Sequence, residues 1–404
     1  MIFAGSKPYC LAPATKDSIP MTDADKKRRM YIFLLVLVIS SGAAFQGWRT
    51  LLNNFAVEVA GLDGMGMGVV QSVREVPGFL ALLAIYMIVI ISEHRLAALS
   101  VAVLGLGVSL VGLMPSLGGL VFTTLLMSFG FHYYETMNQS LTLQYFDRNE
   151  APVVMARLRS ITALTNISVG AAIYFLAKGL GYTEMFAMLG GVAVAAGLWG
   201  LTRDPSRSDL PPQLKKMTFR RQYWLYYALT FLSGARRQIF TVFAVFLLVT
   251  KFGYTIQQVT ILFVCNNVIN YFVNPIIGRS INKFGERPVL SVEYAALTII
   301  FLGYALTENP LVAAALYILD NIVFNFAIAI KTFYQKIADP QDIASGMAVG
   351  FTINHIAAVA VPVTGGLIWM ADYRLVFLVA VGLSLASLAL AQLTTRQIRD
   401  RARG

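Results

Sequence analysis

Charged residues are scarce in this chain. Only 13% of its 404 residues are Asp, Glu, Lys or Arg, and 57% are hydrophobic; an ordinary soluble domain carries about 25% charge. So little polar surface cannot cover a water-soluble fold of this length, which excludes a soluble globular protein and makes the chain a polytopic membrane protein. Cysteine is almost absent. Cys10 lies in the N-terminal tail and Cys265 inside an apolar run, so neither a disulfide framework nor a CxxC metal site is available. No HExxH, GxSxG or GxxxxGK(S/T) pattern occurs. Catalysis therefore has no motif to rest on, and neither an enzymatic activity nor a cofactor is expected.

Acidic residues are scarcer than basic ones, 21 against 32, for a net charge of +11. In a soluble protein that excess would point to nucleic acid. Here no basic patch alternates with aromatics and the basic residues fall in short loops, so the bias reads as membrane topology and no nucleic-acid partner is expected. The first twenty residues lack the continuous apolar core of a signal peptide. Residues 1–29 read as a disordered cytoplasmic tail, with Met21 an alternative start.

What the chain does have is apolar runs of about 20 residues, each long enough to span roughly 30 Å of hydrocarbon as a helix. Twelve are predicted, near 31–58, 66–91, 96–114, 118–146, 156–177, 185–201, 223–249, 257–277, 289–306, 311–335, 344–369 and 374–393. Their connections alternate in charge. "DKKRR", "SEHR", "FDRNEAPVVMARLR", "TRDPSRSDLPPQLKKMTFRR", "GRSINKFGER", "QKIADPQD" and the tail "RQIRDRARG" are basic, whereas the intervening loops hold only Lys178, Lys251 and Arg374 as clear positive charges. Both termini are therefore expected in the cytoplasm, in a cell inner (plasma) membrane. The longest polar connection, 202–221, contains Pro205, Pro211 and Pro212 and reads as a cytoplasmic linker. It divides six-helix halves at 30–201 and 222–395, with 396–404 a second cytoplasmic tail.

Between the eighth and ninth runs lies "GRSINKFGERPVL", Gly278 to Leu290. It fits a G-x-x-x-(D/N)-x-x-G-x-(R/K) loop through Gly278, Asn282, Gly285 and Arg287. With the span count and the central linker, this makes Met30 to Thr395 resemble the major facilitator superfamily of secondary transporters. Asn282 stands where that family usually has Asp. The equivalent place after helix 2, "ISEHRL", has no glycines. The resemblance implies an all-α integral membrane fold in two six-helix halves. In it, helices 1, 4, 7 and 10 line a cavity, helices 2, 5, 8 and 11 flank it, and helices 3, 6, 9 and 12 face lipid. The loop is expected to tie helices 8, 9 and 11 together on the cytoplasmic side. Echoes between the halves fit duplication: "FQGWRTLLNNF" in helix 1 and "LSGARRQIF" in helix 7 pair Gly47 and Arg49 with Gly234 and Arg236, and "ALTNISVG" in helix 5 and "FTINHIAA" in helix 11 pair Asn166 with Asn354.

Polar residues recur on single helix faces. Gln46, Arg49 and Asn53 stand at i, i+3 and i+7 in helix 1; Gln71, Arg74 and Glu75 lie in helix 2; His132, Glu135, Gln139 and Thr142 in helix 4; Thr162 and Asn166 in helix 5. The second half adds Ser233, Arg237 and Thr241, then Asn267, Asn270 and Asn274, then Asn321 and Asn325, and finally Thr352 and His355. Helices 3, 6, 9 and 12 hold almost nothing comparable. Ionisable groups in a membrane face a partner or a wet cavity, so substrate contacts are expected from Arg49, Arg236, Arg237, Gln46, Asn53, Gln71, Gln139, Asn166, Asn270, Asn325 and His355. His132 with Glu135, one turn apart, and Glu75 are the expected proton-handling groups. Some of these residues have blander roles open to them. Asn266, Asn267 and Asn274 serve as well as interhelical glue, Arg74 with Glu75 as a structural ion pair, and Glu58 and Lys331 as residues snorkelling to an interface.

An arginine fork suits carboxylate or phosphate, so the expected ligand is a small anion carried by alternating access, with proton coupling open. Arginines on helices 1 and 7 resemble those of the organophosphate:phosphate antiporter branch. An efflux pump for amphiphiles is the alternative, although helix 5 lacks the Gly-Pro element of the family's drug:proton antiporters. A non-transporting membrane sensor is the other. His132 and Glu135 offer two metal ligands with no third in evidence, so no metal is expected. The partners expected are the lipid bilayer and the solute, with the protein a monomer.

Overall fold

In the lipid interior every backbone N–H and C=O must find its partner within the chain, and apolar runs of this length satisfy that only as helices. The structure, a computed structural model, describes residues 22–403 except 63, 208, 212, 214–218 and 255. The tail expectation for 1–21, Cys10 and part of the linker lie outside the described residues. Two groups of helices follow one another. The first holds α1 (Asp23–Glu58), α2 (Val69–Ile90), α3 (Glu93–Leu113), α4 (Leu117–Tyr145), α5 (Ala151–Leu176) and α6 (Tyr182–Leu201). The second holds α7 (Arg221–Thr250), α8 (Ile256–Phe284), α9 (Glu286–Leu306), α10 (Pro310–Ile337), α11 (Ile343–Ala371) and α12 (Tyr373–Ala391), with a short polar helix α13 (Thr394–Arg403) after them. Nine helices among the described residues are long and apolar enough to cross a membrane. The other three, α4, α5 and α11, have 29, 26 and 29 residues, also enough to span.

Helix α1 has 36 residues, roughly 54 Å at 1.5 Å per residue, so its first turns project beyond the hydrocarbon. There Lys27 sits 2.6 Å from Asp147 and 2.8 Å from Glu150 in the α4–α5 connection. Arg207, from the segment between the groups, reaches Asp23 and Asp209 at 2.6 Å each. Its hydrogen bond holds the Asp209 carboxyl below the ordinary carboxylate range. Within the first group α3 packs against α4 and α6, and α1 against α5 and α6; within the second, α9 packs on α12 and α7 on α11 and α12. The groups meet where α5 lies along α8 and α11 lies along α2 and α4.

Several of these contacts lie towards the end of the bundle that carries both termini. Gly278 on α8 approaches α5 so closely that a Cβ there would stand 2.7 Å from the Pro152 carbonyl and from Ala156. The Asn282 amide donates to the Asn149 carbonyl. Gln335, near the end of α10, donates to the Leu143 and Phe146 carbonyls at 2.8 and 3.0 Å, satisfying acceptors left open at the C-terminus of α4. Gly285 turns the chain into α9 at φ +81°, a conformation open to glycine. Arg287 donates to Gln392 just past α12 at 2.9 Å. The loop thus reaches the α4–α5 connection and the end of α12 through these side chains, rather than α11 as expected, because α12 ends beside the start of α9.

Three helices break regularity near mid-length. A 3₁₀ turn occupies Leu80–Leu83 in α2, soon after Pro77, a π turn occupies Ile239–Ala244 in α7, and a 3₁₀ turn occupies Asn325–Ala327 in α10. Such breaks recur at functional sites.

Candidate functional site

Between the two groups lies a cavity of about 720 Å³, lined by α1, α2, α4, α5, α7, α8, α10 and α11. Helices α3, α6, α9 and α12 contribute nothing to its wall. Of the residues named from sequence, Gln46, Arg49, Glu75, His132, Glu135, Gln139, Asn166, Arg237, Asn270, Asn325 and His355 all face it. Arg236, Asn53 and Gln71 do not. Asn53, one turn beyond Arg49 along α1, is exposed and is not part of the cavity wall.

Arg236 is buried at 2% exposure. Its guanidinium lies over the Tyr294 ring at 4.5 Å and donates to Ser387 and, at 3.3 Å, to the Leu383 carbonyl. The buried carboxylates of Glu293 and Asp320 interact with it electrostatically. It is therefore an internal cation of the second group, and Arg237 takes the cavity position. The shared G-x-R spacing does not transfer because the glycines face different neighbours. A Cβ on Gly47 would meet Leu189 of α6, whereas one on Gly234 would meet the Asn354 carbonyl of α11. Two residues on from glycine a helix has turned about 200°. In α1 that turn points Arg49 inwards; in α7 it points Arg236 towards α9 and α12.

Two cations went unread as cavity groups. Arg159 was grouped with the basic loop charges, yet it stands three residues before Thr162 and seven before Asn166, on the same helical face. It lines the cavity and donates to the carbonyl and side-chain oxygens of Asn325 at 3.3 and 3.4 Å. Lys331, open to a snorkelling role, also lines the cavity, within electrostatic range of Arg159, Glu135 and Arg237. With Arg49, Arg74 and Arg237 the wall holds five basic side chains against two carboxylates, Glu75 and Glu135. Glu75 is paired with Arg74 at 2.6 Å, and Glu135 accepts from Gln139 at 2.7 Å. Among the described residues no carboxylate comes within 4 Å of Arg49, Arg237 or Lys331.

Asparagine pairs lie along the same wall, one of them across the two groups. Asn166 donates to Asn267 at 3.2 Å across the interface, and Asn325 donates to Asn270, which donates to Asn321, at 2.8 and 2.7 Å. Asn270 and Asn325 are thus committed to one another as well as exposed to the cavity. His132 does not pair with Glu135. Its ring meets His355 at 4.9 Å between centroids, and His355 Nε2 lies 3.9 Å from Glu75.

Spanning helices arranged in two groups about a polar cavity, with the groups in contact towards one end, have the arrangement of a membrane transporter. The chain belongs to the Major Facilitator Superfamily, whose sequence pattern matches residues 76–362. Its fold is similar to that of FucP in the outward conformation, with a TM-score of 0.73 at 12% identity over 91% of this chain and 99% of that one. It is also similar to a bacterial homologue of the iron transporter ferroportin in the outward-facing state (TM-score 0.72, 12% identity, 91% and 100% covered). The human organic anion transporter MFSD10 (TETRAN) is a third likeness (TM-score 0.70, 13% identity, 90% and 99% covered). No curated protein sequence matches the chain.

Proposed function

We propose that the protein carries a small organic or inorganic anion across a cell inner membrane by alternating access, working as a monomer. The observation that carries this reading is the excess of basic side chains in the cavity, five against two carboxylates, with Arg49, Arg237 and Lys331 lacking a carboxylate partner among the described residues. Unpaired cations in a low-dielectric site are stabilised by an anion that restores their lost hydration. Residues 30–201 and 222–395 act as the two moving halves. Arg49 reaches the solute from the first and Arg237 from the second, with Arg159 and Lys331 on the same cavity wall. In this reading the end where the two groups meet at Gly278 and Asn282 is shut and, with its basic loops, cytoplasmic, so the cavity opens outwards. The solute draws the halves together around its charge, which lowers the barrier to switching.

Thermal-shift measurements on purified protein against phosphates, carboxylates and other oxyanions test the reading. At least one anion is expected to raise the melting temperature saturably, and Arg49→Ala with Arg237→Ala to abolish the shift while the protein stays monodisperse. Stabilisation by neutral or cationic solutes alone, or an anion shift that survives both substitutions, would overturn it.

A further inference from the structure

Glu75 on α2, His132 on α4 and His355 on α11 bring one ligand atom each within 4.8 Å of one another. Both histidines are at least 95% buried, at 4% and 3% exposure. Each ring is oriented by the same device: Nδ1 lies 2.9 Å from the carbonyl of the residue four positions earlier, Ser128 for His132 and Phe351 for His355. A carbonyl only accepts, so Nδ1 carries the proton and Nε2 of the neutral ring presents a lone pair. Both lone pairs converge beside Gly78, one turn after Glu75. A Cβ at that position would stand 2.6 Å from His355 Nε2 and 2.7 Å from His132 Nε2, so only glycine leaves the space between them clear. Glu75 gives one oxygen to Arg74 and turns the other towards His355.

Two imidazole lone pairs and a carboxylate oxygen meeting in a buried space call for a cation at their centre. We propose that Glu75, His132 and His355 bind a divalent transition-metal ion of the zinc or iron(II) class. Imidazole nitrogen with a carboxylate suits such ions, and a ring held through Nδ1–H by a carbonyl is the usual outer support of a metal-bound histidine. Bonds of about 2.1 Å require ligand atoms roughly 3–3.5 Å apart, so the three atoms, now within 4.8 Å of one another and 3.9 Å apart for His355 and Glu75, must close in around the ion. All three residues line the cavity, which leaves the remaining coordination positions facing it. Glu75 and His132 belong to the first helix group and His355 to the second, so the ion stabilises the state in which α2 touches α11. Arg74 and Arg237 are close enough to interact with Glu75 and His355, and their charge makes the site weaker than a closed structural zinc site. Metal binding does not depend on the anion reading and is measured without any transport.

The test uses protein purified without a polyhistidine tag and titrated with Co²⁺ and Zn²⁺ in detergent. One saturable equivalent is expected, with a visible Co²⁺ absorption band displaced by Zn²⁺ and a rise in melting temperature with Zn²⁺. His132→Ala, His355→Ala and Glu75→Gln are expected to weaken binding by at least about 10-fold each, since even outer-shell losses do as much. His94→Ala, at the third histidine of the chain, is expected to leave it unchanged. Glu75→Gln keeps an oxygen for Arg74 and so tests the site where a histidine variant fails to fold. Absence of saturable binding to the wild type would overturn the proposal, as would binding retained by all three site variants or lost with His94. A proton shared by the two histidines, seen by NMR titration without metal affinity, would replace it.

Discussion

Arg236 and Arg237 are neighbours in the chain with opposite fates, and the difference predicts separable phenotypes. Arg236 is surrounded by Tyr294, Ser387, Glu293 and Asp320 inside the second helix group. Arg236→Ala removes the hydrogen bonds to Ser387 and the Leu383 carbonyl and the contact with the Tyr294 ring, a loss of about 1.5–3 kcal/mol for a charged hydrogen bond alone. It is expected to lower the yield of monodisperse protein sharply. Arg237 faces the cavity, so Arg237→Lys is expected to leave folding intact and weaken anion binding by about 1–3 kcal/mol, the range for a charged hydrogen bond. Anion affinity per folded molecule, read beside size-exclusion yield, distinguishes the two. Equal effects of both substitutions on affinity alone would contradict the division.

The helix α8 and the turn after it carry two jobs that substitution separates. Gly278 and Asn282 contact the other helix group, at Ala156, Pro152 and Asn149, whereas the Arg287 side chain, among the described residues, donates to Gln392 of its own group. Gly278→Val adds a side chain where no space exists and must push α5 from α8; Asn282→Ala removes a hydrogen bond across the same seam. Both are expected to expose a cysteine placed at the fully buried Ala156 to alkylating reagents, in a chain with Cys10 and Cys265 replaced by Ser. Arg287→Ala is expected to leave that alkylation rate unchanged while impairing flux. An Arg287 variant that alkylates as fast as the Gly278 variant would show that the turn acts as one latch.

For the whole molecule, transport requires the shut end to open, and the seam offers a direct test of that requirement. Asn282 touches the Asn149 carbonyl, so cysteines at these two positions, in the same background lacking native cysteine, can be joined by a short bifunctional reagent or an oxidant. The joined protein is expected to bind solute from the open side and to carry none, with flux restored on reduction. Full flux in the cross-linked state would mean that the solute does not pass between the two helix groups.

Hydropathy and the signature loop were enough to place the spans and the superfamily, because membrane crossing is a local property of about 20 residues and the signature loop is contiguous. The polar stripes of α1, α4 and α5 were legible for the same reason: a helix turns about 100° per residue whatever surrounds it, so Gln46 and Arg49, or Thr162 and Asn166, must share a face. Which face turns inwards was decided by neighbours. Gly234 seats α7 on α11, and that rotation, absent from the local pattern, hid Arg236 and exposed Arg237. The meeting of Glu75, His132 and His355 was equally invisible, since three helices distant in the chain had to pack side by side, and Gly78 had to leave a gap, before their ligand atoms shared one space. Sequence determined which residues lie together on a helix; only tertiary packing decided which helices those residues confront.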